Sequence, residues 1–192
     1  MKNKNIEMFY PKTRSEWREW LINNHEKETA VWIILYKKDA NQPTISWAES
    51  VEEALCFGWI DSIKKKLDAS RSIQFFSKRK ATGTWSKINK QKIQHLIDEG
   101  KMFPAGMAII DIAKKNGSWT LLDQVEDLII PKDLDNALAE HVGAKDYFLS
   151  LSRTKRKMLL QWVILAKKPE TRSNRIYDIA ILAGLQKLPR GF

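Results

Sequence analysis

Bulky aromatic side chains alternate with cationic ones along two neighbouring stretches of the chain. Phe75–Lys80 reads Phe-Phe-Ser-Lys-Arg-Lys, and Trp85–Asn89 reads Trp-Ser-Lys-Ile-Asn. Lys and Arg bind anions, and aromatic rings pack against flat or apolar groups, so this interleaving is typical of a site for an anionic ligand. A helix is predicted to start near Trp85, and the N–H groups of a helix start also favour anions. The candidate ligand-binding residues here are Lys78, Arg79, Lys80, Trp85, Lys87 and Asn89.

A carboxylate follows the bulky apolar end of a predicted helix in Gly58–Asp61, which reads Gly-Trp-Ile-Asp. In the simpler interpretation, Asp61 is a turn residue that bonds local backbone. In the functional one it serves as an acid or base beside the ring of Trp59. Trp59 and Asp61 complete the candidate ligand-binding set, and Asp61 is the one catalytic candidate that the sequence offers.

Several common chemistries find no support in the sequence. The histidines are far apart and none sits in a metal-ligand spacing, so we expect no metal site. Cys56 lies in an apolar stretch, where burial raises a thiol pKa, and we interpret it as a core residue. With 8 glycines and no glycine-rich phosphate loop, the sequence also predicts no cofactor.

The charge of the chain is strongly positive and unevenly distributed. Its 33 basic and 23 acidic residues give a net charge of +10 and a pI of about 9.6. Ser62–Lys92 holds ten basic residues and one acid, whereas Thr120–Glu140 holds six acids and one lysine. Such asymmetry favours an anionic partner, either a small molecule or nucleic acid, although it also suits a solvated surface kept for solubility. No recognised nucleic-acid signature is present.

Length and hydropathy point to a globular protein of the cytoplasm. The chain has 192 residues, and no apolar run approaches the roughly 20 residues of a membrane-spanning helix. The N-terminus lacks the apolar segment of a signal peptide, and the single cysteine excludes an internal disulfide. We therefore expect a cytoplasmic protein without membrane insertion.

Capping signals and periodicity predict the order of the elements. Thr13–Glu16 and Ser46–Glu49 have capping-box spacing and start helices, and Val31–Tyr36 predicts a buried strand between them. Alternation after Asp61 predicts a hairpin in which Lys64 and Lys66 share one face.

From Trp85 to the end the pattern is helical, and the acidic stretch Ser118–Pro131 is the predicted linker. The predicted fold class is α+β. Residues 1–118 are predicted to form a small antiparallel sheet with flanking helices. Residues 119–192 are predicted to form an all-helical C-terminal part that packs against it. Arg172 lies on the apolar face of the last predicted helix, and we hypothesise that it joins the two parts by pairing with Asp61.

Four segments of the sequence carry a resemblance to a known family, and they are Glu53–Ser62, Trp85–Lys90, Gly100–Gly106 and Trp162–Ile176. They resemble the YdeI/OmpD-associated family of bacterial proteins, which is named for bacteriocin protection, and the resemblance extends from about Glu16 to Gln186. One departure is Ser77–Lys80, where family members commonly show Thr-Pro-Arg. The resemblance implies a stress or bacteriocin-protection role and supplies no catalytic residues.

These observations lead to one functional hypothesis and two alternatives. In the first, a cytoplasmic protein of this family binds an anionic ligand through a basic, aromatic-rich surface and is not an enzyme. In the second, it is an enzyme that acts on a small anionic or planar substrate, with Asp61 as acid or base. In the third, it is a protein-interaction module that uses the acidic Thr120–Glu140 stretch or the basic C-terminal helices.

Overall fold

The computed structural model describes residues 6–192, and the strands in this range form one mixed sheet with flanking helices. The four strands are β1 (Met8–Phe9), β2 (Ala30–Tyr36), β3 (Trp59–Lys66) and β4 (Arg71–Lys78), in the order β1-β2-β4-β3. The pairs β2–β4 and β3–β4 are antiparallel, while the short β1 runs parallel to β2 and makes the sheet mixed. The predicted α+β class with a helical C-terminal part is confirmed. The expectation that the N-terminus lacks a signal peptide falls partly on residues 1–5, outside the described residues.

The helices account for most of the remaining chain. They are α1 (Arg14–Asn24), α2 (Trp47–Cys56), α3 (Lys87–Asp98), α4 (Pro104–Lys115), α5 (Asp123–Glu126), α6 (Lys132–Ala139), α7 (Ala144–Ser150), α8 (Arg153–Ile164) and α9 (Pro169–Gly184). Over residues 6–192, no helix combines the length and the apolar character that crossing a bilayer requires.

The chain divides into two compact units. The first comprises residues 1–83 and 88–119 and holds the sheet with α1, α2, α4 and most of α3. The second comprises residues 84–87 and 120–192 and holds α5 to α9. The predicted boundary after residue 118 and the packing of one part on the other stay predictions.

Both predicted capping signals start helices as expected. The Thr13 hydroxyl accepts a hydrogen bond from the Glu16 backbone N–H at 3.2 Å. At α2 the box is complete, because the Ser46 hydroxyl accepts from the Glu49 N–H and the Glu49 carboxylate accepts from the Ser46 N–H. These contacts satisfy first-turn donors that would otherwise be unpaired.

Strand β2 forms where a buried strand was predicted, and it is buried on one face only. Val31, Ile33 and Leu35 are buried, whereas the alternate residues, Trp32 among them, are half-buried. The buried side faces α1, where Phe76 of the neighbouring strand contacts the Trp17 ring at 5.4 Å. The continuous apolar run therefore represents one core face and one partly open face.

The predicted hairpin of β3 and β4 is confirmed, with a bulge inside it. Asp61 pairs with Phe76 and Lys64 pairs with Gln74, and the register shifts between Asp61 and Lys64. Lys64 and Lys66 face the same side, as predicted, because they pair with Gln74 and Ser72, which alternate along β4.

A buried carboxylate joins the two helices that cover the sheet. The Glu53 side chain on α2 is 3% exposed and accepts from Arg14 Nε at 2.5 Å and from Arg18 Nη1 at 2.7 Å, both on α1. Arg18 also donates to the Lys101 carbonyl at 2.8 Å, just before α4. Together these contacts of Glu53 and Arg18 hold α1, α2 and the segment before α4 against one another.

Helix α4 approaches the end of α2 so closely that only glycine fits at the contact. A Cβ on Gly106 would lie 2.1 Å from the Cys56 carbonyl oxygen, well inside van der Waals contact. The Phe103 N–H also donates to that carbonyl at 3.0 Å. Gly106 therefore sets the distance between α4 and α2.

The acidic stretch predicted as a linker is instead part of the second unit's core. Leu122 and Val125, at the start of α5 and within it, are buried in a cluster with Leu134, Phe148 and residues of α8 and α9. The linker prediction is wrong. The few apolar residues of this acidic segment show no helical periodicity in the sequence, but the short helix α5 is enough to bury them.

Arg172 pairs inside its own unit, so the hypothesised pair with Asp61 is wrong. Its guanidinium donates to both Asp133 carboxylate oxygens, at 2.7 and 3.0 Å. Arg175 is also half-buried, since its guanidinium lies over the Trp162 ring at 5.1 Å and donates to the Trp162 carbonyl. Sequence spacing placed Arg172 at the end of an apolar stripe but did not identify its partner.

We expect Glu53→Ala to lower the free energy of unfolding by about 3–5 kcal/mol, since it leaves two guanidinium groups without their shared carboxylate. Glu52→Ala is the matched control on the same helix. Glu52 also pairs with lysine and arginine, but its side chain is 25% exposed, so its loss should cost about 1 kcal/mol or less. Urea denaturation compares the two, and equal losses would contradict the role assigned to Glu53.

Gly106→Ala should destabilise the protein by about 1–3 kcal/mol or more, because the added methyl meets backbone rather than a movable side chain. Gly184→Ala provides the same substitution at the end of α9, where the nearest atom lies at 3.2 Å. Its effect should be small, because alanine favours helix and offsets the tight contact. Thermal melts that rank the two variants in the opposite order would exclude the close approach.

Arg172→Ala should destabilise the protein by up to about 1 kcal/mol at neutral pH, and most of the effect should be lost in acid, where only the 3.4 Å contact of Arg172 with the Val163 carbonyl is left. The hydrogen bond from Arg172 lowers the pKa of Asp133, so this pair stabilises the fold above the unfolded carboxyl pKa of about 3.9. The contribution is lost as the pH falls through the lowered folded value. Arg175→Ala is the control, since its carbonyl and ring contacts do not titrate there. Urea melts at several pH values would oppose the assignment if the Arg172→Ala effect persisted in full in acid.

Candidate functional site

A cleft of about 330 Å³ opens on the first unit where four segments meet. These are the end of α1, the turn between α2 and β3, the end of β4, and the first half of α4. The lining residues are His25, Glu26, Phe57, Gly58, Trp59, Lys78, Arg79, Ala105 and Ile109. We call it the Arg79 cleft. It brings together three of the predicted ligand-binding residues, Trp59, Lys78 and Arg79.

Gly58 makes the turn that places Arg79 at the cleft. Its φ of +74° lies in the left-handed region, which glycine adopts without the steric cost of a Cβ. The Gly58 carbonyl then accepts from the Arg79 backbone N–H at 2.9 Å, one step beyond the pairing of Trp59 with Lys78. The turn and the register of β3 and β4 together fix the backbone under the arginine.

Arg79 is buried, with 9% of its surface exposed. Burial lowers the pKa of its guanidinium to about 10, and the nearby Asp61 carboxylate opposes that change. The group is therefore still cationic at neutral pH, although it has lost much of its hydration. A cation in such surroundings attracts an anion more strongly than one on the open surface.

Lys78 lies at the rim and is fixed by two contacts. Its ammonium donates to the Glu26 carbonyl at 2.8 Å, and its backbone N–H donates to the Thr29 carbonyl at 3.1 Å. These contacts hold both the backbone and the side chain of Lys78 at the rim of the cleft.

Aromatic rings form one wall of the Arg79 cleft. Phe57 stacks on Phe103 with ring centroids 4.7 Å apart, and the His25 ring lies 5.3 Å from Phe57. Trp59 is buried, and its ring stands edge-on to Trp20 at 5.8 Å. Sequence reasoning did not include His25, Phe57 or Ala105 in the site. In the sequence, the signals that could have pointed to these residues are that His25 ends a predicted helix and that Phe57 precedes Gly58.

The charge of Asp61 acts on Arg79 and raises its pKa, but Asp61 is not among the residues that line the Arg79 cleft. Its carboxylate accepts a hydrogen bond from the Trp47 indole N–H at 3.0 Å. The side chain thus holds a tryptophan ring, a role that neither sequence interpretation anticipated.

The other predicted residues occupy different places. Lys80 is exposed just after β4, and Asn89 is half-buried on α3. Trp85 and Lys87 belong to the second unit, where Trp85 is buried and the Lys87 ammonium lies 3.1 Å from an Asp127 carboxylate oxygen.

Cys56 is a buried core residue, as predicted, and burial raises the pKa of its thiol to about 11. The thiol is therefore protonated at neutral pH and poorly suited to nucleophilic attack. Among residues 6–192, no three His, Cys, Asp or Glu side chains are grouped so as to hold a metal ion.

The acidic stretch of the second unit is largely neutralised within that unit. The pairs are Glu126 with Lys157, Asp127 with Lys87, Asp133 with Arg172, and Asp135 with Lys145, with distances from 2.7 to 3.1 Å. The negative charge predicted as an interaction surface is thus mostly compensated locally.

Comparison with protein families separates the two halves of the chain. Residues 9–109, more than half of the chain, match a family described as a domain of unknown function, DUF8412. Residues 127–183 match the family described as "Bacteriocin-protection, YdeI or OmpD-Associated". The resemblance predicted from about Glu16 onward is therefore confirmed for residues 127–183, whereas Glu53–Ser62 and the Arg79 cleft fall within the other match.

Searches of curated proteins and of solved structures found no significant match. The chain thus belongs to the DUF8412 family through its first unit and carries a YdeI/OmpD-associated segment in its second.

Proposed function

We propose that the first unit binds a small anion bearing a flat apolar group in the Arg79 cleft. The single observation that carries this proposal is a cationic Arg79 side chain that is buried where it lines a cleft. Of the hypotheses drawn from the sequence, anion binding draws the most support from this geometry.

The electrostatics support an anionic ligand. Burial strips the guanidinium of water, and Asp61 offsets that effect only in part, since the pKa remains lowered. An anion in the cleft would add favourable charge interactions to both Arg79 and the ammonium of Lys78 at the rim. Glu26 is the one acid that lines the cleft, and its side chain is 85% exposed.

The cleft wall supports a ligand with a flat or apolar portion. Phe57, Ala105 and Ile109 present apolar surface, while the charged groups lie at Lys78 and Arg79. A volume of about 330 Å³ suits a small molecule rather than a polymer. An aromatic carboxylate has both parts at a matching size.

An enzyme with Asp61 as acid or base is less well supported. The carboxylate is engaged with the Trp47 indole and does not line the Arg79 cleft. The protein-interaction alternative is weakened by the local pairing of the acidic stretch. The cytoplasmic location and the stress or bacteriocin-protection role remain part of this proposal, and cell fractionation would test the location.

Benzoate should bind the purified protein in isothermal titration calorimetry, and benzamide, its uncharged counterpart, should bind at least tenfold more weakly. Arg79→Gln should reduce benzoate affinity by about 1.5–3 kcal/mol, the usual value for hydrogen bonds to charged groups. Lys78→Gln should reduce it less, because the ammonium lies at the rim. Lys80→Gln is the matched control, since Lys80 is exposed and does not line the cleft.

Equal binding of benzoate and benzamide would contradict the anion site. So would unchanged affinity in folded Arg79→Gln protein. If Arg79→Gln does not fold, the exposed Lys78→Gln variant decides, and an affinity equal to that of Lys80→Gln would reject the proposal.

A further inference from the structure

A second cleft in the first unit has a volume of about 480 Å³ and shares no lining residue with the Arg79 cleft. It lies at the end of β2, beside the start of α2 and the second half of β3, which leads into the turn to β4. Its charged and aromatic lining residues are Tyr36, Lys37, Lys38, Trp47, Glu49 and Lys64. We call it the Trp47 cleft.

The Trp47 cleft is strongly cationic. Lys37, Lys38 and Lys64 are exposed, and none of them forms an ion pair within the part of the chain that the structure describes. Glu49, the one acid in the lining, is occupied by the capping box, and the hydrogen bond from the Ser46 hydroxyl lowers its pKa. The lysines therefore dominate the potential in the cleft.

Trp47 presents an exposed ring in a fixed orientation. Half of its surface, 50%, is exposed, whereas the other aromatic residues described in this unit are buried or half-buried. Its indole N–H donates to the Asp61 carboxylate at 3.0 Å, which restrains the ring from the adjacent strand. A ring that is both open to solvent and held in place is preorganised for stacking with a planar partner.

We propose that the Trp47 cleft binds a nucleotide unit, with the base stacked on Trp47 and the phosphate held by Lys37, Lys38 and Lys64. Stacking on an aromatic ring accepts any base, and lysine ammonium groups bind phosphate as point charges. The cleft volume lies within the range of small-molecule sites, about 300–1,000 Å³. A free mononucleotide and a single strand of nucleic acid present this same chemistry.

The neighbouring surface favours a single strand as the source of the nucleotide. Lys65 and Lys66 continue the run of lysines along β3, and the Lys65 ammonium lies 5.1 Å from the centre of the Trp32 ring. Trp32 in turn contacts Phe75 at 4.8 Å on the half-open face of the sheet, which is opposite to the face of Lys64 and Leu35. A strand that passes round the edge of the sheet at β3 would meet rings and cations of the same kind there.

Binding is measured by the fluorescence anisotropy of a labelled oligothymidylate, with AMP, adenosine and inorganic phosphate as competitors. AMP should displace the oligonucleotide more effectively than either adenosine or phosphate, since each of these carries only half of the recognised group. If AMP binds as tightly as oligothymidylate, the source is a free nucleotide. If the oligonucleotide binds much more tightly, the source is a single strand.

Trp47→Leu should weaken binding of both AMP and oligothymidylate by roughly fivefold or more, the effect expected for losing one stacked base. Tyr177→Leu is the matched control, because it removes another exposed ring from the second unit. Replacement of Lys37, Lys38 and Lys64 by glutamine should reduce the slope of log affinity against log salt for oligothymidylate by about 2. The same change at Lys27, Lys115 and Lys167, which are also exposed, controls for net charge.

Asp61 variants separate ring positioning from simple charge. Asp61→Ala removes a negative charge, which alone would strengthen anion binding, but it also releases the Trp47 ring. We therefore expect Asp61→Ala to weaken nucleotide binding, and Asp61→Asn, which keeps an acceptor for the indole N–H, to preserve it.

Three results would overturn the proposal. They are unchanged binding in the Trp47→Leu and triple-lysine variants, equal losses in the control variants, and displacement of oligothymidylate by phosphate as effectively as by AMP. Lys78→Gln, at the rim of the Arg79 cleft, should leave AMP binding unchanged, so failure at one cleft is distinguishable from failure at the other.

Discussion

The buried carboxylate of Glu53 is the contact on which the arrangement of the first unit depends. A charge removed from water must be paired and hydrogen-bonded, and Arg14 and Arg18 provide both from α1. Arg18 extends these contacts to the Lys101 carbonyl, which leads directly into α4. Helices α1, α2 and α4 contribute residues to the walls of the two clefts. The contacts of Glu53 and Arg18 therefore also fix the positions of those walls.

Close packing at two glycines links the position of the helices to the geometry of the Arg79 cleft. Gly106 lets α4 approach the end of α2, and Gly58 then turns the chain into β3 with a left-handed backbone. Because β3 pairs with β4 in a fixed register, the turn also positions Lys78 and Arg79. The Arg79 cleft is therefore a consequence of two glycine contacts and one strand register, rather than of a mobile loop.

The basic residues of the two units differ in how many of them form ion pairs. In the second unit, four lysines and arginines pair with carboxylates of the acidic stretch and stabilise that unit internally. In the first unit, Lys37, Lys38 and Lys64 form no ion pair among the residues that the structure describes. An excess of charge that a fold does not neutralise is available for a ligand, and here it surrounds exposed or half-open aromatic rings.

The sequence by itself determined those features that depend on neighbours within a few residues. The N-cap at Thr13, the capping box at Ser46, the β3–β4 hairpin and the helix that begins at Pro169 all follow from local hydrogen bonding and periodicity. Only the tertiary structure decided which side chains meet. Asp61 contacts Trp47, and Arg172 contacts Asp133, across 14 and 39 residues of sequence, respectively. Spacing along a chain reveals the face on which a residue lies, whereas its partner depends on how distant elements pack.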